Sequence, residues 1–255
     1  MSDFNKELLD EINFLRTNPR RYAKKLSKYV EYFKDKILYL PGTNAGIQTE
    51  EGAEPYKEAI ISLSTESRRE PLLPSKGLCK ICEDLLKEAQ KDADNVGNIS
   101  VEKLINKIGS IKGSLSRLFE FGGETPEQVV INLIVGDGDP SRGQRKSLLN
   151  AEVKKIGLAN GKHDSYGHCT VILSTTQFNN NVDSSDEGFI DGDYVPKKID
   201  EGDDNDEEKD ENVESVNKTE NIVVENGKKK KVIKIVKIMK DGSKQIETIK
   251  KDVEE

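Results

Sequence analysis

The sign of the charge reverses within the last third of the chain, and this limits which part of the chain can form a packed core. Between Asp183 and Glu211 there are fourteen Asp or Glu against three Lys, a net charge of −11. A segment with this composition buries too little apolar surface to offset the entropy lost on ordering. We therefore predict a core at residues 1–182, a disordered acidic linker at 183–220 and a basic tail at 221–255.

The tail carries ten Lys against two acidic residues between Lys228 and Lys251, a net charge of +8. Two β-branched apolar runs flank Asp241-Gly242, a typical turn pair, which predicts a C-terminal β-hairpin. Lysines interrupt the first run at every third position, a period that fits neither strand nor helix. The register is therefore open, and a basic amphipathic helix remains the alternative. We predict that the interrupting lysines bind a protein partner; they are Lys231, Lys234, Lys237 and Lys240.

The first 180 residues predict an α+β core. Apolar residues recur at helical spacing from Asn5 to Tyr29, with a joint at Pro19, and again over Tyr56 to Leu63 and Leu78 to Val96. Thr125-Pro126-Glu127 has the residue types that begin a helix, here one to about Val135, and a short helical turn is predicted at Ser147 to Leu149. Strands are predicted at Ile156 to Ala159 and Cys169 to Thr175, where β-branched residues are dense.

Composition limits the classes of function. The chain has no apolar run long enough for a transmembrane helix or for a signal peptide near Met1, so we expect a soluble protein that is not exported. Three cysteines, an odd number, fit a reducing compartment such as the cytoplasm. The formal net charge of −7 argues against nucleic acid as a partner.

Three stretches between Asn5 and Phe178 carry recognisable motifs. The first is an opening helix with the pattern "N..R..P..YA..L", here Asn13, Arg16, Pro19, Tyr22, Ala23 and Leu26. The second is Pro71-Leu72-Leu73 with Leu78. The third and longest is similar to "LIVDDG…RGHRKNLLN…GVA" and covers Val130 to Gly138, Ser141 to Asn150 and Ile156 to Ala159. Together these stretches resemble the CAP superfamily, the SCP-like domain of cysteine-rich secretory, antigen-5 and pathogenesis-related proteins, in the divergent form found in unicellular eukaryotes.

The resemblance implies an α-β-α sandwich around an antiparallel sheet, with a cleft lined by two histidines and two glutamates. The sequence departs from this pattern because Gln144 replaces the histidine of the "RGHR" block, and glutamine neither titrates nor binds metals well. The chain's two histidines, His163 and His168, are the remaining candidates for the cleft. Each could instead be an ordinary loop residue. Glu124 is either the surviving acid of the cleft or a solvated residue beside a helix start.

Other candidate sites are weaker. Cys79-Lys80-Ile81-Cys82 has zinc-site spacing but falls on an apolar helix face, which favours core packing, with Cys169 and a histidine as the remaining zinc ligands to consider. Gly136-Asp137-Gly138-Asp139 lacks the ligand spacing of a calcium loop and predicts a turn. We expect no catalytic residue, metal or cofactor.

The sequence thus predicts a protein-interaction or structural module that is not an enzyme, with a degenerate CAP domain and a basic tail for an acidic protein partner. A cytoskeletal or ciliary assembly would supply such a surface. The alternatives are a CAP-type cleft that binds a metal, small ligand or lipid or retains hydrolytic activity, and attraction of the tail to anionic membranes.

Overall fold

The computed structural model describes residues 1–43, 45–91, 93–181, 194, 213–225, 228–239 and 244–252. The chain divides into two compact units, Met1–Lys197 and Lys198–Glu255. Most of the predicted acidic linker, the Asp241-Gly242 turn and Lys240 lie outside the described residues. Among the described helices, none combines the length and apolarity that crossing a membrane requires.

The first unit contains all the helices described. They are α1 Asp3–Thr17, α2 Pro19–Val30, α3 Glu54–Thr65, α4 Lys76–Ala89, α5 Val101–Ile108, α6 Pro126–Val135 and α7 Gly143–Leu148, with a 3₁₀ helix at Ala93–Asn98. The joint predicted at Pro19 is confirmed, because α1 ends at Thr17 and proline occupies the first turn of α2. The helix predicted at Leu78 to Val96 is shorter than expected and ends at Ala89.

Seven of the described strands lie in the first unit. They are β1 Phe33–Lys34, β2 Ile37–Leu38, β3 Ile47–Gln48, β4 Leu73–Pro74, β5 Gly109–Phe121, β6 Lys155–His163 and β7 Gly167–Asn180. The first three form a small sheet, and the others form a four-stranded sheet in the order β4-β6-β7-β5. The two strands predicted from sequence are confirmed and longer than expected. The expected antiparallel sheet is mixed, because β4 pairs parallel to β6.

Helices cover both faces of this sheet, because alternate residues of β7 point into two separate cores. Cys169, Val171 and Leu173 join the apolar side chains of α4 and α5. Ile172 points the other way and joins those of α1, α2, α3 and α6. The period of two along a strand therefore fixes which helix layer each sheet residue contacts.

The second unit is a three-stranded antiparallel sheet. Its strands are β8 Val213–Glu225, β9 Lys228–Met239 and β10 Lys244–Asp252, with β9 in the middle. The predicted pairing of the last two strands is present, in a register that sets Lys244 opposite Ile238. A third strand, β8, precedes them, so the tail is a sheet rather than a hairpin, and the strand begins within the range predicted as linker.

Candidate functional site

The residues shared with the "RGHR" block and the opening helix support the fold rather than a cleft. Arg16 is fully buried and donates to four main-chain carbonyls, those of Glu70, Leu148, Asn150 and Val153, at 2.6–3.4 Å. Its burial, together with the nearby Arg69, lowers its pKa to about 10. This one side chain therefore ties the first helix to segments far along the chain.

The two arginines of the block act at the end of α6. Arg145 donates to the carbonyls of Ile134 and Val135, the last residues of that helix. Arg142 donates to the Gly136 carbonyl at 2.7 Å and forms a two-pronged ion pair with Glu51. Cations that bind the free carbonyls at a helix C-terminus stabilise it. Arg142 and Arg145 therefore stabilise the end of α6.

Glu124 does not line a cleft with the other candidates. Its side chain is exposed, and its backbone N–H donates to the Gln128 side chain at 3.0 Å. Gln128 and Thr125 form a capping box that begins α6. Of the two alternatives from sequence, the structure fits a solvated residue beside a helix start.

His163 lies on the opposite face of the sheet from His168. Its Nδ1 accepts hydrogen bonds from the backbone N–H groups of Ser165 and Tyr166 at 3.2 and 3.3 Å. Its Nε2 is buried and has no hydrogen-bond partner among the described residues. The ring packs beside Phe121 and Tyr166, with centroids 5.4 and 5.1 Å away. These contacts are typical of a residue that shapes the β6–β7 turn.

His168 lies near a carboxyl group that sequence analysis missed. Glu120 on β5 pairs with Thr170 on β7, two positions from His168, so all three residues occupy one face of the sheet. Glu120 is 6% exposed, and its Oε1 accepts from Asn132 Nδ2 at 2.8 Å and from the Gly123 backbone N–H at 3.1 Å. Two buried atoms here, Glu120 Oε2 and His168 Nδ1, lack a hydrogen-bond partner among the described residues.

Burial raises the pKa of Glu120, while hydrogen bonds from Asn132 and Gly123 and the proximity of His168 partly oppose the rise. Gly123 is required for the close fit, because a Cβ atom there would lie 2.8 Å from Glu120 Oε2 and 2.7 Å from Val129 Cγ2. A carboxyl and an imidazole with unpaired buried atoms can bind a small polar ligand. Glu120 and His168 are thus the strongest candidate site.

Gln144 approaches this region without completing it. Its Nε2 donates to the main-chain carbonyl of Phe119 at 3.5 Å, a long contact with the strand that carries Glu120. The side chain is half-buried. The position that carries a histidine in the family pattern therefore contacts the sheet backbone here.

The cysteines belong to the core between the sheet and α4. Cys82 and Cys169 are fully buried in the same apolar cluster, and Cys79 is partly exposed. Burial raises the pKa of Cys169 to about 12 and that of Cys82 well above its usual value. Across the described part of the chain, no three His, Cys, Asp or Glu residues are grouped as a metal site would need. The core packing predicted for this pair of cysteines is confirmed for Cys82, whereas Cys79 is partly exposed and lies outside the cluster.

The sheet of β8, β9 and β10, called the tail sheet below, sets three of the predicted partner-binding lysines opposite uncharged or basic positions. On β10 and β8 respectively, Lys231 faces Lys251 and Ile222, Lys234 faces Thr248 and Thr219, and Lys237 faces Gln245 and Val216. By contrast, Lys228 faces Glu225 and Lys230 faces Asp252. Within the described register, positive charge at 231, 234 and 237 has no acidic residue directly across the sheet.

Comparison with known proteins gives no family. No family model matches the chain, and no curated protein matches it. Among solved structures, an outer surface protein from Borrelia burgdorferi is similar over 43% of this chain and 80% of that one, at 17% identity and a TM-score of 0.36. A likeness this weak supports no conclusion about fold or function.

Proposed function

We propose that this chain is a non-enzymatic interaction module whose basic tail sheet docks on an acidic protein surface. The carrying observation is the charge of β9, where Lys231, Lys234 and Lys237 have no acidic residue directly opposite. Like charges directly opposed across a sheet are destabilising, as at Lys231 and Lys251. An acidic partner would relieve that repulsion.

The core that bears this tail is proposed to be a divergent CAP domain. Support comes from a sheet with helices packed on both faces and from the family-like arginines Arg16, Arg142 and Arg145, each with a defined bonding role. The assignment predicts that the core provides a rigid support while the tail makes the contact. A cytoplasmic cytoskeletal or ciliary assembly is the kind of partner we propose.

The acidic run from Asp183 to Glu211 should compete with that partner for the lysines. Exposed ion pairs are each worth only about 0–1 kcal/mol and are screened by salt, so this masking is weak. Deletion of residues 199–211 should therefore tighten partner binding at low ionic strength and change it little at high ionic strength.

The test is binding of the full chain to labelled poly-glutamate at several salt concentrations. Changing Lys231, Lys234 and Lys237 to Glu should weaken binding at least tenfold, and the corresponding Gln variant should lie between this and the wild type. A matched control places the same charge change on exposed core lysines, Lys103, Lys107 and Lys146. Circular dichroism checks that each variant stays folded.

Equal losses of affinity for poly-glutamate in the tail and core variants would show that binding depends on net charge alone and would refute the docking role. Tighter binding to anionic vesicles than to poly-glutamate would favour the membrane alternative instead. Purification of the native protein with and without residues 183–255 should then show acidic partners that depend on the tail.

A second candidate function is a ligand-binding or hydrolytic cleft, favoured by the unpaired buried atoms of Glu120 and His168. If it holds a metal, calorimetric titration of the reduced chain with zinc should show one site that is abolished by His168→Ala. The interaction module predicts no such site, because Gln144 contacts the Phe119 carbonyl where the family pattern has a histidine.

A further inference from the structure

Tyr194 is buried against the first helix although it lies thirteen positions beyond Asn181. The side chain is 8% exposed and belongs to the apolar core formed by α1, α2, α3 and α6. Its hydroxyl donates to Asp10 Oδ1 at 2.7 Å and accepts from Asn13 Nδ2 at 3.2 Å. A residue within the acidic run is therefore held in a defined place on the core.

The polar end of this site is fixed by the core itself. Asn13 is 5% exposed, its Oδ1 accepts from the Leu72 backbone N–H at 2.7 Å, and its Nδ2 donates to the Leu72 carbonyl at 3.0 Å. These two bonds hold the amide so that its second N–H is directed at the tyrosine hydroxyl. The core thus presents one donor, from Asn13, and one acceptor, from Asp10.

A phenol hydroxyl satisfies this pair completely, since it accepts one hydrogen bond and donates another. A phenylalanine would fill the same volume but leave the buried Asn13 N–H without its acceptor, a loss that sites of this kind discriminate against strongly. Burial raises the pKa of Tyr194, while the hydrogen bond from Asn13 opposes the rise and the Asp10 contact adds to it.

We propose that α1 carries a tyrosine-binding site, occupied in cis by Tyr194, that anchors the acidic run to the core. Its consequence for reach rests on the proposed function. From Asn181 to Val213 there are 32 residues, which span at most about 115 Å when extended, whereas the 19 from Tyr194 span at most about 68 Å. The anchor therefore shortens the tether to the tail sheet, and its release lengthens it.

The experiment uses the full chain with Tyr194→Ala, which empties the site, and a labelled synthetic peptide of residues 188–200 as the probe. Fluorescence anisotropy should show that this variant binds the peptide at least tenfold more tightly than the wild type, whose site is filled by its own segment at high effective concentration. A peptide with Phe at position 194 should bind at least tenfold more weakly, and Asp10→Ala in the same chain should weaken the tyrosine peptide similarly.

Equal binding of the tyrosine and phenylalanine peptides, or equal binding to variant and wild type, would overturn the proposal. If Tyr194→Ala does not fold, Tyr194→Phe replaces it, with Tyr166→Phe as control because Tyr166 is 50% exposed. Tyr194→Phe should lower the melting temperature and Tyr166→Phe should not, and equal shifts would refute the site. These readouts do not involve the lysines of β9, so failure here is separate from failure of the docking function.

Discussion

At the scale of single residues, Glu120 provides a test of how burial controls the candidate cleft. Its pKa is raised by burial, so the folded state binds a proton more tightly than the unfolded chain does. The resulting stabilisation is fully present below the unfolded pKa, near 4.5, and is lost as pH rises through the folded value.

Glu120→Gln should remove this pH dependence, because glutamine keeps the shape and an acceptor for Asn132 and Gly123 but does not ionise. We expect the variant to gain stability relative to wild type as pH rises from 4 to 7. Chemical denaturation across that range measures the difference. Parallel curves for Glu120→Gln and wild type would contradict the assignment.

Individual site residues were only partly predictable from sequence. The resemblance identified Asn13 and Arg16, yet their roles depend on carbonyls 54 to 137 residues away, which no local pattern reveals. Glu120 was missed because its strand was not predicted. The available signal was an acid between two phenylalanines, Phe119-Glu120-Phe121, where alternation places the acid on the face opposite the rings.

At the scale of elements, the start of α6 can be tested against the start of α5. Thr125 closes a capping box with Gln128, whereas the Ser100 side chain makes no capping bond to α5. Thr125→Ala should lower the free energy of unfolding by about 1 kcal/mol, and Ser100→Ala should change it by less than about 0.5 kcal/mol. Urea unfolding of both variants measures this, and equal effects would show that the box contributes little.

Elements with strong periodicity were predicted, and those without it were missed. The α1–α2 joint followed from Pro19, and β6 and β7 followed from their β-branched residues. The strand β5 reads Gly109-Ser-Ile-Lys-Gly113 at its start, and glycines, serine and lysine hide it. Its register also shifts between Lys112 and Leu115, where Gly113 adopts a φ of +84°. Pairing with β7, a tertiary interaction, therefore determines this strand.

At the scale of the whole molecule, the first unit extends beyond the boundary predicted at residue 182. It ends at Lys197 and includes Tyr194 in its core. A chain of residues 1–197 should therefore be more stable than one of residues 1–182, by about 2 kcal/mol, because it buries one aromatic side chain and pairs its hydroxyl. Thermal unfolding of the two fragments tests this.

Tyr194→Phe in the longer fragment is the internal control, since it should lose only the part of the added stability that comes from the hydrogen bonds of the hydroxyl. Limited proteolysis of the full chain should likewise leave a resistant fragment that still contains residue 194. A fragment that ends near Asn181 at the earliest times would contradict this boundary.

The bonds of Arg16 also determine when the protein can fold during its synthesis. The guanidinium leaves the ribosome early, but three of its four carbonyl partners belong to Leu148, Asn150 and Val153. Until those residues emerge, α1 lacks three of the four acceptors for this buried charge. It also lacks β6, where the Leu158 carbonyl accepts a hydrogen bond from the Asn5 side chain. Contacts this distant in sequence slow folding. We therefore expect the apolar face of the nascent first helix to stay exposed, and accessible to chaperones, until most of the first unit has been translated.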